Sequence, residues 1–319
     1  MELDNLTEIE ANKHIKKTLK KGMKSLENDF DLYLMLVPMI LFFILFSYKP
    51  LTGLVIAFKD YSPFRGIWGS KWVGIQYFKE FFTGPYALRT IKNTLVISLT
   101  SLIIGFPMPI IFALLLNELR AIRFKKTVQS ISYLPHFLST VIVCGIVVNF
   151  LSPTTGVVNT LLKMMGFKPI YFLSIPKFFV PIYTIMGIWK NTGYDSIIYI
   201  AALTSISDEL YEAATVDGAG RWQQFIYITL PSLMPTIVIM LLIRLGNILN
   251  VGYEAIILLY NPSIYTTADV INTFVYRVGI TEGRYDYATA IGLFNSVVAF
   301  IIVIIFNKIS NKLTDTGLW

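Results

Sequence analysis

Apolar and polar residues occupy long alternating blocks along this chain of 319 residues. The apolar blocks lie at residues 32–47, 94–116, 132–151, 180–202, 232–249 and 287–309, and the first could run on to Phe58. A helix needs about 20 mainly apolar residues to cross the hydrocarbon core of a bilayer. The blocks are continuous, which favours helices over barrel strands. The pattern predicts an all-α polytopic membrane protein with six transmembrane helices, because soluble cores rarely contain six such runs.

The distribution of basic residues predicts an orientation. Six lysines precede residue 29 without an apolar core, so we expect a retained cytoplasmic tail over residues 1–30 and no cleaved signal peptide. Four basic residues after the second block agree with this orientation, whereas six between residues 48 and 89 oppose it. With six spans, both termini and residues 207–231 lie in the cytoplasm. The net charge of +7 requires no nucleic acid, since a basic inner face beside anionic lipid explains it.

Residues suited to catalysis are scarce. Cys144 is the only cysteine, and its apolar block predicts a small buried side chain. His14 and His136 are the only histidines, and no spacing of Cys, His and carboxylates suggests a metal site. The dipeptide Gly-Lys does not occur, so the chain has no P-loop, and any ATP-driven work must come from another subunit.

A polar segment at residues 207–231, here called the coupling segment, separates the fourth and fifth blocks. Ser207 or Asp208 can cap a short helix, and Gly218 can end it in a bend. The pattern predicts a second amphipathic helix with Trp222 on its apolar face, and Pro231 in the first turn of the next span. Such a helix pair suits docking to a partner and lying on lipid equally well.

The order of residues in this segment resembles the EAA loop of bacterial ABC-importer permeases, which runs EAA, a short spacer, DGA, a hydrophobic residue and a closing Leu-Pro. In that family the loop docks into a cleft of the cytoplasmic ATPase. The resemblance implies that the coupling residues are Glu212, Ala213, Ala214, Asp217, Gly218, Ala219, Gly220, Phe225 and Pro231.

Residues 48–74, 133–140, 268–280 and 287–294 resemble the LplB-type branch of binding-protein-dependent carbohydrate permeases. This implies a type I (MetI-like) importer fold in a bacterial cell membrane. The transmembrane domain would cover residues 87–310, after a first helix and external segment at 31–86 and before a cytoplasmic tail at 311–319. The implied partners are a second related permease chain, an ATPase dimer that binds ATP and Mg²⁺, and an extracellular binding protein that delivers an oligosaccharide. No cofactor is expected in this chain.

Polar and aromatic residues inside the apolar blocks are candidates for the sugar path, because such residues usually face a bundle interior or an aqueous path. Trp189 to Tyr194 interrupt the apolar run of the fourth span with polar and aromatic side chains. Asparagines also join helices without touching a ligand, and Gly145 and Gly292 are expected to be packing contacts. The path candidates are Asn149, Trp189, Asn191, Tyr194, Arg244, Asn247 and Asn295.

Two larger loops, at residues 152–177 and 252–286, are expected outside the membrane. Residues 269–280 have amphipathic spacing, which suits a helix lying flat at the outer surface or one packed on neighbouring spans. By resemblance, these loops would receive the binding protein.

Three classes of function fit the sequence to different extents. The leading hypothesis is an ABC-importer permease for oligosaccharides, with a permease for peptides, amino acids or another small solute as its variant. A stand-alone channel or secondary transporter is disfavoured, since Asp195 is the only clear acidic residue near a span centre. A membrane-embedded enzyme is the weakest, because the chain lacks a catalytic constellation.

Overall fold

The computed structural model describes residues 30–314, and the chain divides into two compact units, Met1–Val55 and Ile56–Trp319. The predicted basic tail lies outside the described residues, except for Phe30. At the other end the last helix continues to Thr314, so residues 311–314 of the predicted C-terminal tail are helical.

The described part of the first unit is helical and belongs to α1, Phe30–Phe58, which contains a π-helical turn at Ile44–Tyr48. Its side chains are exposed from residue 30 to residue 52. The apolar block at residues 32–47 therefore belongs to a longer helix, as the extension to Phe58 predicts.

The second unit contains a short antiparallel hairpin and thirteen further helices in its described part. In the hairpin, β1 (Lys59–Asp60) pairs with β2 (Lys71–Trp72), an addition to the all-α prediction. The helices are α2 (Gly66–Gly69), α3 (Gln76–Thr83), α4 (Ala87–Glu118), α5 (Ile122–Phe137), α6 (Thr140–Leu151), α7 (Val157–Met164), α8 (Pro176–Thr204), α9 (Asp208–Val216), α10 (Arg221–Gly246), α11 (Tyr253–Leu259), α12 (Tyr265–Ala268), α13 (Ile271–Tyr276, followed by a π-helical turn at Arg277–Thr281) and α14 (Tyr285–Thr314).

Four described helices, α1, α4, α10 and α14, are long and apolar enough to cross a membrane. The pair α5 and α6 could form a fifth span, although it is bent by 101°. Helix α8 has 29 residues, about 43 Å at 1.5 Å per residue, but it carries Lys190 and Asp195. The six-span count is compatible with this structure and stays a prediction.

The predicted span at residues 132–151 is wrong as a straight helix. Pro135 has no backbone N–H to continue the ladder of α5, and Leu138 and Ser139 are extended. The Ser139 hydroxyl accepts a hydrogen bond from the Ile142 N–H at 3.3 Å, which caps the new helix α6. The polar residues from Trp189 to Tyr194 interrupt the apolar run of the fourth block but not its helix, because α8 continues through them.

The long helices define two sides of the second unit. Glu118 at the end of α4 lies 3.9 Å from Arg221 at the start of α10. Because α4 has 32 residues, its other end lies about 48 Å away. We call the end with Glu118 the coupling side and the opposite end the distal side. Helix α8 ends on the coupling side, whereas α14 starts on the distal side.

Close backbone contact occurs at other glycines than predicted. Gly145 and Gly292 have open space where a Cβ would stand, so the expectation that they are packing contacts is wrong within the described chain. Gly193 instead faces the backbone of Ser132. Cys144 is buried, as predicted, with its Sγ 3.8 Å from the Ala255 carbonyl oxygen.

The amphipathic segment at residues 269–280 packs inside the protein and does not lie flat at its surface. Val270, Ile271, Phe274 and Val278 are almost fully buried. They belong to the cores formed with α3, α4 and α14. Of the two alternatives from the sequence, packing on neighbouring spans is the one that the structure supports.

Candidate functional site

The coupling segment begins with a capped helix and a glycine bend. The Ser207 hydroxyl accepts a hydrogen bond from the Glu209 N–H at 3.3 Å, so Ser207 is the cap of α9. Gly218 has φ +82°, in the left-handed region that favours glycine. The Ala219 N–H donates to the Ala214 carbonyl at 2.8 Å and closes the end of the helix. The predicted bend at Gly218 is therefore present.

After the bend, the predicted separate amphipathic helix is wrong. Helix α10 continues from Arg221 to Gly246. Its α-helical part after a π-helical turn begins at Leu230, and Pro231 lies in the first turn of that part, as predicted. A π-helical turn, Phe225–Thr229, directly precedes the Leu230-Pro231 pair. The missing N–H and the ring of a proline disturb a regular α-helix, and a π-turn is a common way for a helix to absorb such a disturbance. The coupling segment thus leads directly into a long helix.

Side-chain hydrogen bonds join the two helices of the coupling segment. The hydroxyls of Tyr211 and Thr229 lie 2.9 Å apart. The Gln224 amide donates to the Thr215 hydroxyl at 3.0 Å and to the Ala219 carbonyl at 3.2 Å. These hydrogen bonds tie α9 to the start of α10.

Much of the coupling segment is open to contact. Val216 is 87% exposed and Tyr227 is 76% exposed. Several exposed large apolar side chains in one segment are typical of a surface that binds a partner or lipid. Trp222 is also exposed and packs on half-buried Phe225, with ring centroids 5.4 Å apart. Among the predicted coupling residues, Ala214, Ala219 and Phe225 are half-buried, and the exposed ones are Glu212, Ala213, Asp217, Gly218, Gly220 and Pro231.

A cavity of about 690 Å³ lies between α4, α8 and α10, with α6 and α11 at its edges. Three of the predicted path residues, Asn191, Arg244 and Asn247, line it. Gly105 lies in the π-helical turn Ser101–Gly105 of α4 and faces the Arg244 guanidinium, which lies 4.0 Å from where a Cβ of Gly105 would stand.

The charged groups of the cavity are only partly paired. Arg244 on α10 lies 3.8 Å from Asp195 on α8. The Lys190 ammonium donates to the Thr140 hydroxyl at 3.2 Å, and no carboxylate within residues 30–314 lies at ion-pair distance from it. Glu254, in the lining, likewise has no ion-pair partner in this part of the chain. The cavity thus offers an ammonium group and a carboxylate to a ligand.

The other four predicted path residues do not line this cavity. Tyr194 stacks on His136 with ring centroids 3.8 Å apart and planes within 1°. His136 Nδ1 lies 3.2 Å from Asn191 Oδ1. The stacked rings therefore lie outside the cavity and contact its lining residue Asn191. Trp189 and Asn149 are exposed elsewhere on α8 and α6, and Asn295 is buried in α14.

Several lining residues are not singled out by the sequence patterns. Ser98 and Ser101 lie on the cavity side of α4, and two serines three residues apart in an apolar block are the signal that could have found them. Tyr183 lies in the first turn of the fourth apolar block, and Tyr253 and Glu254 lie beyond the end of the fifth. They reach the cavity only through the packing of α8 and α11.

A buried charge cluster fixes the distal side. Asp269 is fully buried and accepts from Arg89 at 2.7 Å and from both terminal nitrogens of Arg277 at 2.9 and 3.1 Å. Burial alone would lower the pKa of Arg277, but the hydrogen bonds and charge of Asp269 outweigh it and raise that pKa. The Arg277 guanidinium therefore stays charged, and the contacts of Arg89 and Arg277 with Asp269 hold α13 against α4.

No group of three or more His, Cys, Asp or Glu residues is placed to hold a metal ion in residues 30–314.

Comparison with known proteins identifies the family to which this chain is similar. Residues 93–315 match the profile of the family described as binding-protein-dependent transport system inner membrane component. Protein LplB of Bacillus subtilis (strain 168) is 44% identical over 297 residues, which are 93% of each chain. The polygalacturonan/rhamnogalacturonan transport system permease protein YteP of the same organism is 43% identical over 288 residues, 90% of each chain.

A solved structure shows the same fold. It is that of a bacterial ABC transporter involved in the import of the acidic polysaccharide alginate, and one of its chains is 52% identical to this one. The TM-score is 0.86, covering 91% of this chain and 98% of that chain. These likenesses confirm the predicted resemblance, the ABC-permease fold and the role of a transport subunit that is not itself the ATPase.

Proposed function

This chain belongs to the family of inner membrane components of binding-protein-dependent transport systems, and we propose that it is the permease subunit of an ABC importer for acidic oligosaccharides. The coupling segment faces the cytoplasm and docks on an ABC ATPase dimer that binds ATP and Mg²⁺. Both termini are cytoplasmic. A second related permease chain completes the pathway, and an extracellular binding protein delivers the sugar to the distal side. The transmembrane domain covers residues 87–310, with a first helix and external segment at residues 31–86.

One observation carries this proposal. Helix α8 precedes the coupling segment and α10 begins inside it. The same two helices carry Asp195 and Arg244, which face each other in the cavity. Arg244 lies 23 residues beyond Arg221 (244 − 221), about 35 Å along α10. A long helix moves as a rigid element, so a displacement at the coupling side changes the separation of the two charges. This geometry suits alternating access, in which nucleotide and ligand bias a rigid-body switch.

The chemistry of the cavity supports a sugar. Asparagine amides, tyrosine hydroxyls, a guanidinium and carboxylates provide both donors and acceptors for hydroxyl groups. Apolar residues such as Leu102, Val143 and Met186 supply the rest of the lining. The Asp195 carboxylate faces the Arg244 guanidinium, which disfavours Asp195 as a proton carrier.

The acidic nature of the sugar is supported by Lys190 and by the relatives. An ammonium group in a membrane cavity without a carboxylate partner is costly, and a carboxylate on the passing sugar would pair with it. Two of the similar proteins are named for polygalacturonan and for the acidic polysaccharide alginate. We therefore assign Lys190 and Arg244 to carboxylate recognition, and Asn191 and Asn247 to hydroxyl recognition.

The proposal is tested by ATP hydrolysis in the complete complex, reconstituted in lipid with its binding protein. Uronic-acid oligosaccharides should stimulate hydrolysis several-fold more than the same oligosaccharides with their carboxyl groups reduced to alcohols. Lys190→Gln should remove most of this preference, whereas Lys177→Gln, on the same helix but outside the cavity, should retain it. Equal stimulation by both sugar forms, or stimulation by peptides or amino acids instead, would overturn the assignment.

A further inference from the structure

Three asparagines from different elements form a hydrogen-bonded ladder that ends at the cavity. The Asn295 amide of α14 donates to Asn272 Oδ1 at 3.3 Å, and the Asn272 amide of α13 donates to Asn250 Oδ1 at 2.9 Å. Asn250 follows α10 and lines the cavity. We propose that Asn250 contacts the transported sugar and that Asn272 and Asn295 are positioning residues that act through it. The inference rests on the proposed function of the cavity as the sugar path.

The direction of the ladder determines what Asn250 presents to the cavity. Its Oδ1 is occupied by Asn272, and within residues 30–314 its Nδ2 has no acceptor. At the other end, Asn295 Oδ1 is buried without a partner among the described residues. The reverse direction would bury an unpaired N–H group instead, which is rarer in proteins than an unpaired carbonyl oxygen. The ladder therefore presents an N–H donor to the cavity.

A second asparagine provides the complementary group. The Asn247 amide donates to the Ile243 carbonyl at 3.3 Å, which leaves its Oδ1 available as an acceptor. Asn247 and Asn250 both line the cavity, three residues apart. Together they match a sugar, since Asn250 donates to a hydroxyl or carboxylate oxygen and Asn247 accepts from a hydroxyl group.

The ladder explains how an exposed side chain outside a helix can hold one orientation. Helix α10 ends at Gly246, so Asn250 lies in an irregular segment, and its side chain is exposed. A free side chain there would lose rotamer freedom on each binding event, whereas a donor held in place before the sugar arrives avoids that loss. Asn295, 8% exposed, anchors the ladder in α14.

The test uses the full complex in proteoliposomes, at saturating concentrations of the sugar-loaded binding protein. Sugar uptake and ATP hydrolysis are measured together for Asn250→Ala, Asn272→Leu and the double variant. We expect each single variant to lower the sugar moved per ATP about five-fold, the size expected for one lost hydrogen bond. The double variant should fall no further than Asn250→Ala, because Asn272 acts through Asn250. Ser296→Ala, next to Asn295 but outside the cavity, should match the wild type.

Two results would overturn the proposed role of the ladder. The first is wild-type transport in both single variants. The second is a double variant in which the sugar moved per ATP falls about twenty-five-fold, the product of the two single losses, because the effects of independent residues multiply. Thermal unfolding of each purified complex shows whether a variant is folded. Transport by the wild-type complex tests the proposed function separately. If the wild-type complex imports a solute other than an acidic oligosaccharide, the proposed function is wrong. The ladder is then tested by comparing the uptake of that solute per ATP between the variants and the wild type. No import of any solute contradicts both.

Discussion

Gly193 of α8 lies so close to Ser132 of α5 that a Cβ on Gly193 would overlap the Ser132 carbonyl group. The neighbour is backbone, which moves only with its helix, so no side-chain rotation could relieve the overlap. The contact holds α5 against the middle of α8. It thereby places His136 over Tyr194 and beside Asn191, at the wall of the cavity.

Replacement of Gly193 by alanine should therefore separate α5 from α8. We expect Gly193→Ala to lower the thermal unfolding temperature of the complex and its yield, because overpacking a tight contact costs about 1–3 kcal/mol. Gly145→Ala is the matched control, since a Cβ there has open space and alanine favours the helix. Similar unfolding temperatures for the two variants would rule out the close contact.

The bend at Gly218 gives a graded prediction. A β-branched residue is strained at φ +82°, whereas asparagine tolerates the left-handed region better than most residues. Gly218→Val should weaken co-purification of the ATPase strongly, and Gly218→Asn should retain most of it. The amount of ATPase recovered with the permease measures the difference. If valine and asparagine behave alike, the conformation of the bend is not what the ATPase requires.

The hydroxyl pair of Tyr211 and Thr229 should transmit movement rather than bind the ATPase. Tyr211→Phe removes only the phenolic oxygen and leaves the exposed surface of α9 almost unchanged. We expect the ATPase to stay bound and hydrolysis to continue, while sugar uptake per ATP falls a few-fold. Thr229→Val should have a similar effect, and the two should not add, since both break the same bond. Additive losses would argue against transmission through this bond.

The distal charge cluster should be far more sensitive than the nearby surface pair. Asp269→Asn leaves Arg89 and Arg277 without their buried counter-charge, and breaking a buried pair costs about 3–5 kcal/mol. Glu80→Gln removes the partner of Arg284 at a half-exposed site, where a pair is worth about 0–1 kcal/mol. Thermal unfolding of the two purified variants compares these costs. A small effect of Asp269→Asn would mean that water reaches the cluster.

The coupling segment is predictable from sequence because its determinants are local. A cap, a glycine with positive φ and a set of small residues fix α9 and its bend within a dozen positions. The apolar blocks likewise indicate the long helices, since a bilayer demands continuous apolar runs. The start of α10 is less predictable: Pro231 suggests a helix start, but a π-helical turn before it lets α10 begin ten residues earlier, at Arg221 (231 − 221).

The cavity is only partly predictable because tertiary packing decides which face of each helix lines it. Polarity alone indicates Asn191, Arg244 and Asn247, and they do line it. Tyr194 has the same polarity but turns to His136, and Asn295 turns to Asn272. The ladder joins residues 250, 272 and 295, and no local pattern relates positions so far apart. The 101° bend at Leu138 and Ser139 follows Pro135. Proline alone does not predict such a break, because α8 and α10 continue through Pro181 and Pro235.

The most direct test of the central claim is uptake of a labelled uronic-acid oligosaccharide into vesicles that contain this permease, its partner permease and the ATPase, with the binding protein outside. The account predicts accumulation that requires both ATP inside the vesicles and the binding protein outside, and that Gly218→Val abolishes. Accumulation that persists without ATP or without the ATPase subunit would contradict it, because this chain would then act as a stand-alone channel or secondary transporter.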